Sequence, residues 1–219
     1  MKTLQTKKVR AQKIVAILAK KYPEPKTALN FSNTFELLIA TILSAQTTDK
    51  RVNIVTPSFF PKHNTPEQLF QIGEAKLADL IKSINLYPTK AKNIIRLCQI
   101  LIEQYQGKVP ATREALEALP GVGRKTANVV LANAFGIPAF AVDTHVFRVT
   151  RRLELSNGKN PLQVEKDITA LLPDTIWTAA HHYFIFHGRE ICVALKPKCE
   201  ICPVKDLCPY PKKQEKGQL

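Results

Sequence analysis

The chain has 219 residues, 45% of them hydrophobic, an ordinary globular share that permits a buried core and sets disorder aside as the default. Thirty-two Lys and Arg against 18 Asp and Glu give a formal charge of +14, and a folded body so unbalanced repels itself unless an anionic partner, most commonly nucleic acid, offsets it. No apolar run is long enough to span a membrane, and Lys2, Lys7, Lys8 and Arg10 have no apolar stretch beside them, which excludes a secretory signal. The expectation is a soluble chain of a bacterial cytoplasm.

The elements read as helical throughout. Val9 to Lys21 places Val9, Ile14, Ile17 and Leu18 at helical spacing and stops before Tyr22-Pro23. Ser32 or Asn33 is suited to cap a helix from Phe35 to about Ala45, and Thr48-Asp49 restarts one that ends at Phe60-Pro61. Thr65-Pro66-Glu67 combines a cap, a first-turn proline and an acid at the positive end of the dipole. A longer helix runs from about Pro88 to Tyr105 and is closed by Gly107; its apolar stretch Ile94, Ile95, Leu97, Ile100 and Leu101 makes Cys98 a small core residue. Thr112 with Glu114 and Glu117 opens another, and Gly136 closes the one after it. No stretch alternates apolar and polar residues with β-branched enrichment, so no sheet is expected and the fold class is all-α.

Leu119-Pro120-Gly121-Val122-Gly123-Arg124-Lys125-Thr126-Ala127 is the most informative segment. One helix ends near Ala118 and a second begins near Arg124, with two glycines bracketing an apolar residue that pins the turn to the core. The amides at the start of the second helix then point outward at the positive end of its dipole, which suits a phosphate. An ordinary tight turn between helices also uses glycine. Arg124 and Lys125 argue against that plain reading, because a cation in a first turn works against the dipole by roughly 0.3–1 kcal/mol. Cations retained there suit work on an anion. Lys125, expected to be partly buried, is also a candidate nucleophile, since an amine that has shed its proton can attack carbon.

Val142-Asp143-Thr144-His145 places one acid between an apolar run and a new helix. Asp143 is a natural N-cap; facing a cleft, it would also stabilise a sugar that turns positive as its base departs. Asn160-Pro161 and Asp174-Thr175 begin two further helices, and the polar tail Lys212 to Leu219 is expected to fray. Of the five cysteines, Cys192, Cys199, Cys202 and Cys208 fall inside seventeen residues as C-x6-C-x2-C-x5-C, with Pro203 after the third. Four thiols so close point to metal. Spacing favours an iron–sulfur cluster that ties off the C-terminal region over a zinc site, which usually pairs two C-x2-C knuckles or uses histidine.

Taken together, Leu119 to Ala127, Val142 to His145 and the cysteine run resemble the endonuclease III family of the helix-hairpin-helix glycosylases. So do Leu43-Ser44-Ala45-Gln46-Thr47-Thr48-Asp49, Lys90-Ala91-Lys92-Asn93-Ile94, His181-His182 and His187-Gly188-Arg189; the likeness covers roughly residues 20–211. The resemblance implies two helical domains flanking a DNA cleft. A six-helix barrel of residues 27–137 would carry the hairpin, and residues 1–26 with 138–219 would hold one 4Fe–4S cluster on Cys192, Cys199, Cys202 and Cys208. It implies a monomeric base excision repair enzyme, associated with the nucleoid. Such an enzyme removes oxidised pyrimidines from double-stranded DNA and nicks the strand 3′ to the abasic site by β-elimination. Lys125 matches the family's nucleophile and Asp143 its essential acid. Gln46 and Leu86 match the residues that fill the gap left by the flipped nucleotide. Gly121, Val122, Gly123 and Arg124 match the phosphate-gripping hairpin, with Thr144 and His145 also at the DNA. Asn85 stands where the family usually has glycine, a residue that tolerates left-handed backbone as glycine does. The competing readings are an adenine-mismatch glycosylase, a branch that usually lacks the lysine, and a non-catalytic DNA-binding protein with a redox-sensing cluster.

Overall fold

Residues 2–211 are described by a computed structural model, and among them every regular element is helical, with no strand. The tail 212–219, expected to fray, lies outside the described residues. In chain order the helices are α1 (Lys2–Lys21), α2 (Thr34–Leu43), α3 (Asp49–Val55), α4 (Pro66–Leu80), α5 (Tyr87–Tyr105), α6 (Arg113–Glu117), α7 (Arg124–Ala134), α8 (Thr144–Arg152), α9 (Pro161–Leu171) and α10 (Trp177–Glu190). No helix is long and apolar enough to cross a membrane among the described residues.

Short polar side chains start most of them. Asn33, Thr48, Thr65, Thr112 and Asn160 each accept a hydrogen bond from the amide three residues on, a contribution of about 1 kcal/mol per helix. Glu36 reaches back past the cap to accept from the Ser32 amide at 2.6 Å. Three boundaries differ from expectation. Helix α1 begins at Lys2, not Val9, because apolar spacing marks only where a helix packs, whereas Lys and Gln extend one freely in water. After Val55 the chain tightens into a 3₁₀ turn, Thr56–Ser58, instead of continuing as α-helix, and Asp174–Ile176 is likewise a 3₁₀ turn before α10.

The chain divides into two compact units, Met1–Lys26 with Pro138–Leu219, and Thr27–Ile137. In the second, α2 is apolar almost all round and every residue from Phe35 to Leu43 is buried, as a helix at the centre of a domain must be. It packs against α7 and α5, while α4 and α5 lie along one another. Gly73, at φ 74 and ψ 166, kinks α4. Cys98 is fully buried in α5, and that burial pushes its thiol up to about 12. In the first unit the core is built from Ile14 and Leu18 of α1, Val146 and Val149 of α8, Val164 and Ile168 of α9, and Phe184 of α10, with Phe140 beneath them. Gly188 admits α8 to α10: a Cβ there would lie 3.0 Å from the His145 Cβ.

Candidate functional site

The hairpin runs from α6 through 118–123 into α7. Leu119 donates to the Leu116 carbonyl and Val122 to the Leu119 carbonyl, both at 3.1 Å, and Val122 is buried. Gly121 takes φ 79, a region closed to most side chains. Gly123 does not. It is extended, serves as N-cap of α7 without a side chain, and a Cβ there would meet nothing within 4 Å. The start of α7 therefore carries no capping side chain and no acid in its first turn, which leaves its positive end available to an anion. Arg124 lies 3.7 Å from Glu117 across the hairpin, and Arg113 donates to the Asn128 side chain at 3.0 Å. Lys125 is exposed in that first turn, not partly buried as expected, because its position on α7 faces away from the apolar side formed by Ala127, Val130 and Leu131.

The two glycines separate by experiment. Gly121→Ala is expected to cost about 1–2 kcal/mol of stability from its positive φ, with the new methyl 3.3 Å from the Asn93 Cβ adding to it. Gly123→Ala, with ordinary backbone and open space around the new methyl, is expected to lose only the N-cap preference of glycine over alanine, a few degrees at most in melting temperature, and to weaken binding of duplex DNA several-fold. Thermal melts and a titration with labelled duplex check both.

Asp143 caps α8, its Oδ1 accepting from the Val146 amide at 2.8 Å. Among the described residues the other oxygen, Oδ2, takes no hydrogen bond, and the side chain is half-buried. The preceding segment is held by His181, whose Nδ1 lies 2.8 Å from the Ala141 carbonyl oxygen. Thr144 is exposed; His145, for which the sequence showed no partner, receives a hydrogen bond on Nδ1 from Arg148 at 3.2 Å.

Gln46 and Leu86 sit on two loops of the unit Thr27–Ile137 and are both exposed. Each takes a left-handed backbone, φ 56 and φ 59, at a cost of roughly 1–2 kcal/mol per residue. The sequence pointed to Asn85 as the left-handed residue; the structure moves that role to Leu86, and Asn85 instead uses its side chain, donating from Nδ2 to the Gln46 carbonyl at 2.6 Å. Beneath these loops lies Lys90, which is 6% exposed. Its Nζ donates to the Leu43 and Ala45 carbonyls at 2.8 and 2.6 Å, at the negative end of the α2 dipole. Burial pulls the Lys90 ammonium down to about 8.

Cys192, Cys199, Cys202 and Cys208 line one cavity together with Leu153, Ile191 and Arg152. No three of the described His, Cys, Asp or Glu side chains converge on a point where a single ion would sit. Four thiols lining one cavity are the donor set that an iron–sulfur cluster takes. Cations and N–H donors surround it: Arg152 approaches the Cys192 Sγ at 3.6 Å and His187 Nε2 the Cys202 Sγ at 3.6 Å. Burial pushes the Cys208 thiol up to about 11, so metal must displace its proton on binding. Arg148 donates to the Cys192 carbonyl at 3.0 Å, and Arg10 ties α1 to the same region through the Leu207 carbonyl at 3.0 Å.

The expected site residues thus fall into two sets. Gly121 to Lys125 share one turn, and Gln46 and Leu86 share one pair of tethered loops, in the unit Thr27–Ile137; Asp143, Thr144, His145 and the four cysteines belong to the other unit. Sequence reading missed the parts played by Arg148, Arg152 and Lys90. Only Lys90 left a signal, as a charge four residues before Ile94 on the apolar stripe of α5.

Comparison with known proteins agrees across the chain. Residues 39–174 match the family described as HhH-GPD superfamily base excision DNA repair protein, and residues 192–208 match the iron–sulfur binding domain of endonuclease III. Endonuclease III of Rickettsia conorii is 54% identical over 199 residues, covering 90% of this chain and 94% of that protein. The Escherichia coli K12 protein of the same name is 50% identical over 206 residues, covering 94% and 98%. Among solved structures, a trapped endonuclease III–DNA covalent intermediate superposes with a TM-score of 0.91 at 45% identity, covering 95% of this chain and 98% of that one. A thermostable thymine-DNA glycosylase gives 0.84 at 27% identity, covering 93% and 97%.

Proposed function

The chain belongs to the endonuclease III family of base excision repair proteins, and from that membership we propose which of its residues carry the reaction and which lesions it takes. It is a bifunctional DNA glycosylase and abasic-site lyase that acts on DNA and holds a 4Fe–4S cluster. The proposed substrate is duplex DNA with an oxidised pyrimidine, worked on by a monomer.

The lesion nucleotide leaves the stack most cheaply where damage has already weakened stacking. Gln46 and Leu86 occupy the space it vacates, and their exposed, left-handed placement supports that reading. The uncapped start of α7 receives a backbone phosphate between Gly121 and Arg124, with Thr144 and His145 contacting the strand. Lys125 Nζ, as the free amine, then attacks C1′ of the deoxyribose. The base departs with the bonding electron pair and picks up a proton, while the open oxygen of Asp143 stabilises the positive charge gathering on the sugar. Ring opening gives an imine on Lys125. The imine acidifies the C2′ hydrogens, loss of one expels the 3′ phosphate, and water releases the lysine.

Cys192, Cys199, Cys202 and Cys208 hold the cluster, which supplies a covalent closure of the C-terminal region. The cationic surface adds sequence-independent attraction to phosphate. The observation that carries this reading is an exposed lysine in the uncapped first turn of the hairpin helix.

Lesion class is tested by single-turnover excision from duplexes that differ only in the damaged base. Thymine glycol is expected to be released at least about a hundredfold faster than 8-oxoguanine, a difference of about 2.7 kcal/mol in barrier. Equal rates would remove pyrimidine preference from the account and leave the lyase chemistry standing.

A further inference from the structure

The mechanism uses Gln46 and Leu86 but not what holds them. The two residues lie on separate loops, one after α2 and one before α5; two hydrogen bonds join those loops directly and two more tie α5 to the end of α2 and the first loop. Asn85 Nδ2 donates to the Gln46 carbonyl at 2.6 Å and the Asn85 amide to the Thr47 Oγ1 at 3.2 Å. Lys90 Nζ reaches the Leu43 and Ala45 carbonyls at 2.8 and 2.6 Å. Among the described residues its partners are these two carbonyls and no carboxylate.

An ammonium buried on an apolar stripe is costly, and folding alone would favour Met or Leu at position 90. Its protons satisfy the orphan carbonyls at the end of α2 and fix the stretch from Ser44 onward that leads into Gln46. Asn85 does the complementary task from the other loop. The Asn85 carboxamide supplies the N–H of this clasp, which reaches the Gln46 carbonyl, a bond that a side chain without an N–H cannot make. Positive φ at both Gln46 and Leu86 matches such a clasp, since strained backbone persists only where its surroundings over-determine it.

We propose that Asn85 and Lys90 are positioning residues that lock the Gln46 and Leu86 loops into one preassembled wedge for opening the duplex. The inference rests on the reading that Gln46 and Leu86 fill the space of the flipped nucleotide. A preformed wedge speeds the step in which the helix is opened, because the ordering cost is met before DNA arrives. It does nothing for imine chemistry on a strand that is already single.

The test compares Asn85→Asp, Asn85→Gly and Lys90→Met with Gln46→Ala and Leu86→Ala. Asn85→Asp keeps the shape and removes the donor, and because Asn85 is exposed its variants are expected to fold even where Lys90→Met does not. Two single-turnover rates are measured on each: thymine glycol release from duplex, and cleavage of an abasic site in a single-stranded oligonucleotide. Expected for both Asn85 variants is a loss of about tenfold on the duplex, with single-strand cleavage within about twofold of the parent. If both Asn85 variants excise from duplex at the parental rate while Gln46→Ala and Leu86→Ala are slowed, the clasp is wrong and the wedge reading stands. Parental rates in all of these variants sink the wedge reading and the clasp with it. Equal losses on duplex and single strand also overturn the clasp, since the defect then lies outside helix opening.

Discussion

Lys125→Ala is expected to lose borohydride trapping on abasic DNA entirely and to slow strand cleavage on the order of a thousandfold or more. The size follows from the chemistry. Without an amine no imine forms, and without the imine the C2′ hydrogens are not acidic enough to leave at a useful rate. Lys125 is exposed at the start of a helix that Gly123 caps through its backbone alone, so the substitution removes no core contact. Alanine is also the best helix former. The variant should melt within a degree or two of the parent and still bind duplex DNA, losing at most one phosphate's worth of attraction. A folded, DNA-binding, inert protein separates nucleophile from mere phosphate contact, for which the loss would be modest and dependent on salt.

Asp143→Asn is expected to slow base release on the order of 100- to 1000-fold, the range typical of removing one charge-stabilising group from a transition state. Its stability should fall by less than about 1 kcal/mol. Asparagine caps a helix about as well as aspartate, and its Oδ1 retains the hydrogen bond that the Val146 amide donates; only the favourable charge at the dipole is lost. Asp143→Ala, by contrast, should lose the cap as well, costing about 1 kcal/mol more. Single-turnover excision and thermal melts on the two variants therefore divide the residue's two tasks. If Asn and Ala lose activity only in proportion to stability, Asp143 is a cap and nothing else. Cleavage of a preformed abasic site should suffer less in Asp143→Asn than base release does, because no glycosidic bond remains to be broken.

Much of the molecule was legible because local physics and tertiary structure agree. Asn33, Thr65, Thr112 and Asn160 cap where their side chains predicted, and the largely apolar α2 is buried from Phe35 to Leu43. The turn between α6 and α7 was legible as well, since two glycines bracketing one apolar residue mark a tight helix–helix connection. The rest depended on contacts between distant segments. The start of α1 was misplaced because its first turns have no apolar periodicity to read. Nothing local marks Gly73 as a kink. Lys90 stands out as a charge on the apolar stripe of α5, but its partners emerge only when α2 is placed against α5 and its carbonyls come within reach. Left-handed backbone at Leu86 contradicts the residue's own preference; only the surroundings of that loop impose it, and sequence patterns cannot anticipate such an override. Arg152 and His187 meet the cysteines only after α8 and α10 have packed.

The most direct test is to find the atom that bonds to the sugar. The intact protein is incubated with abasic duplex, reduced with borohydride and digested, and the peptides are mapped by mass spectrometry. The reduced sugar fragment is expected on the Nζ of Lys125 and on no other amine. A fragment carried instead by the N-terminal amine or by another lysine, in folded protein that cleaves at full rate, would contradict Lys125 as the nucleophile.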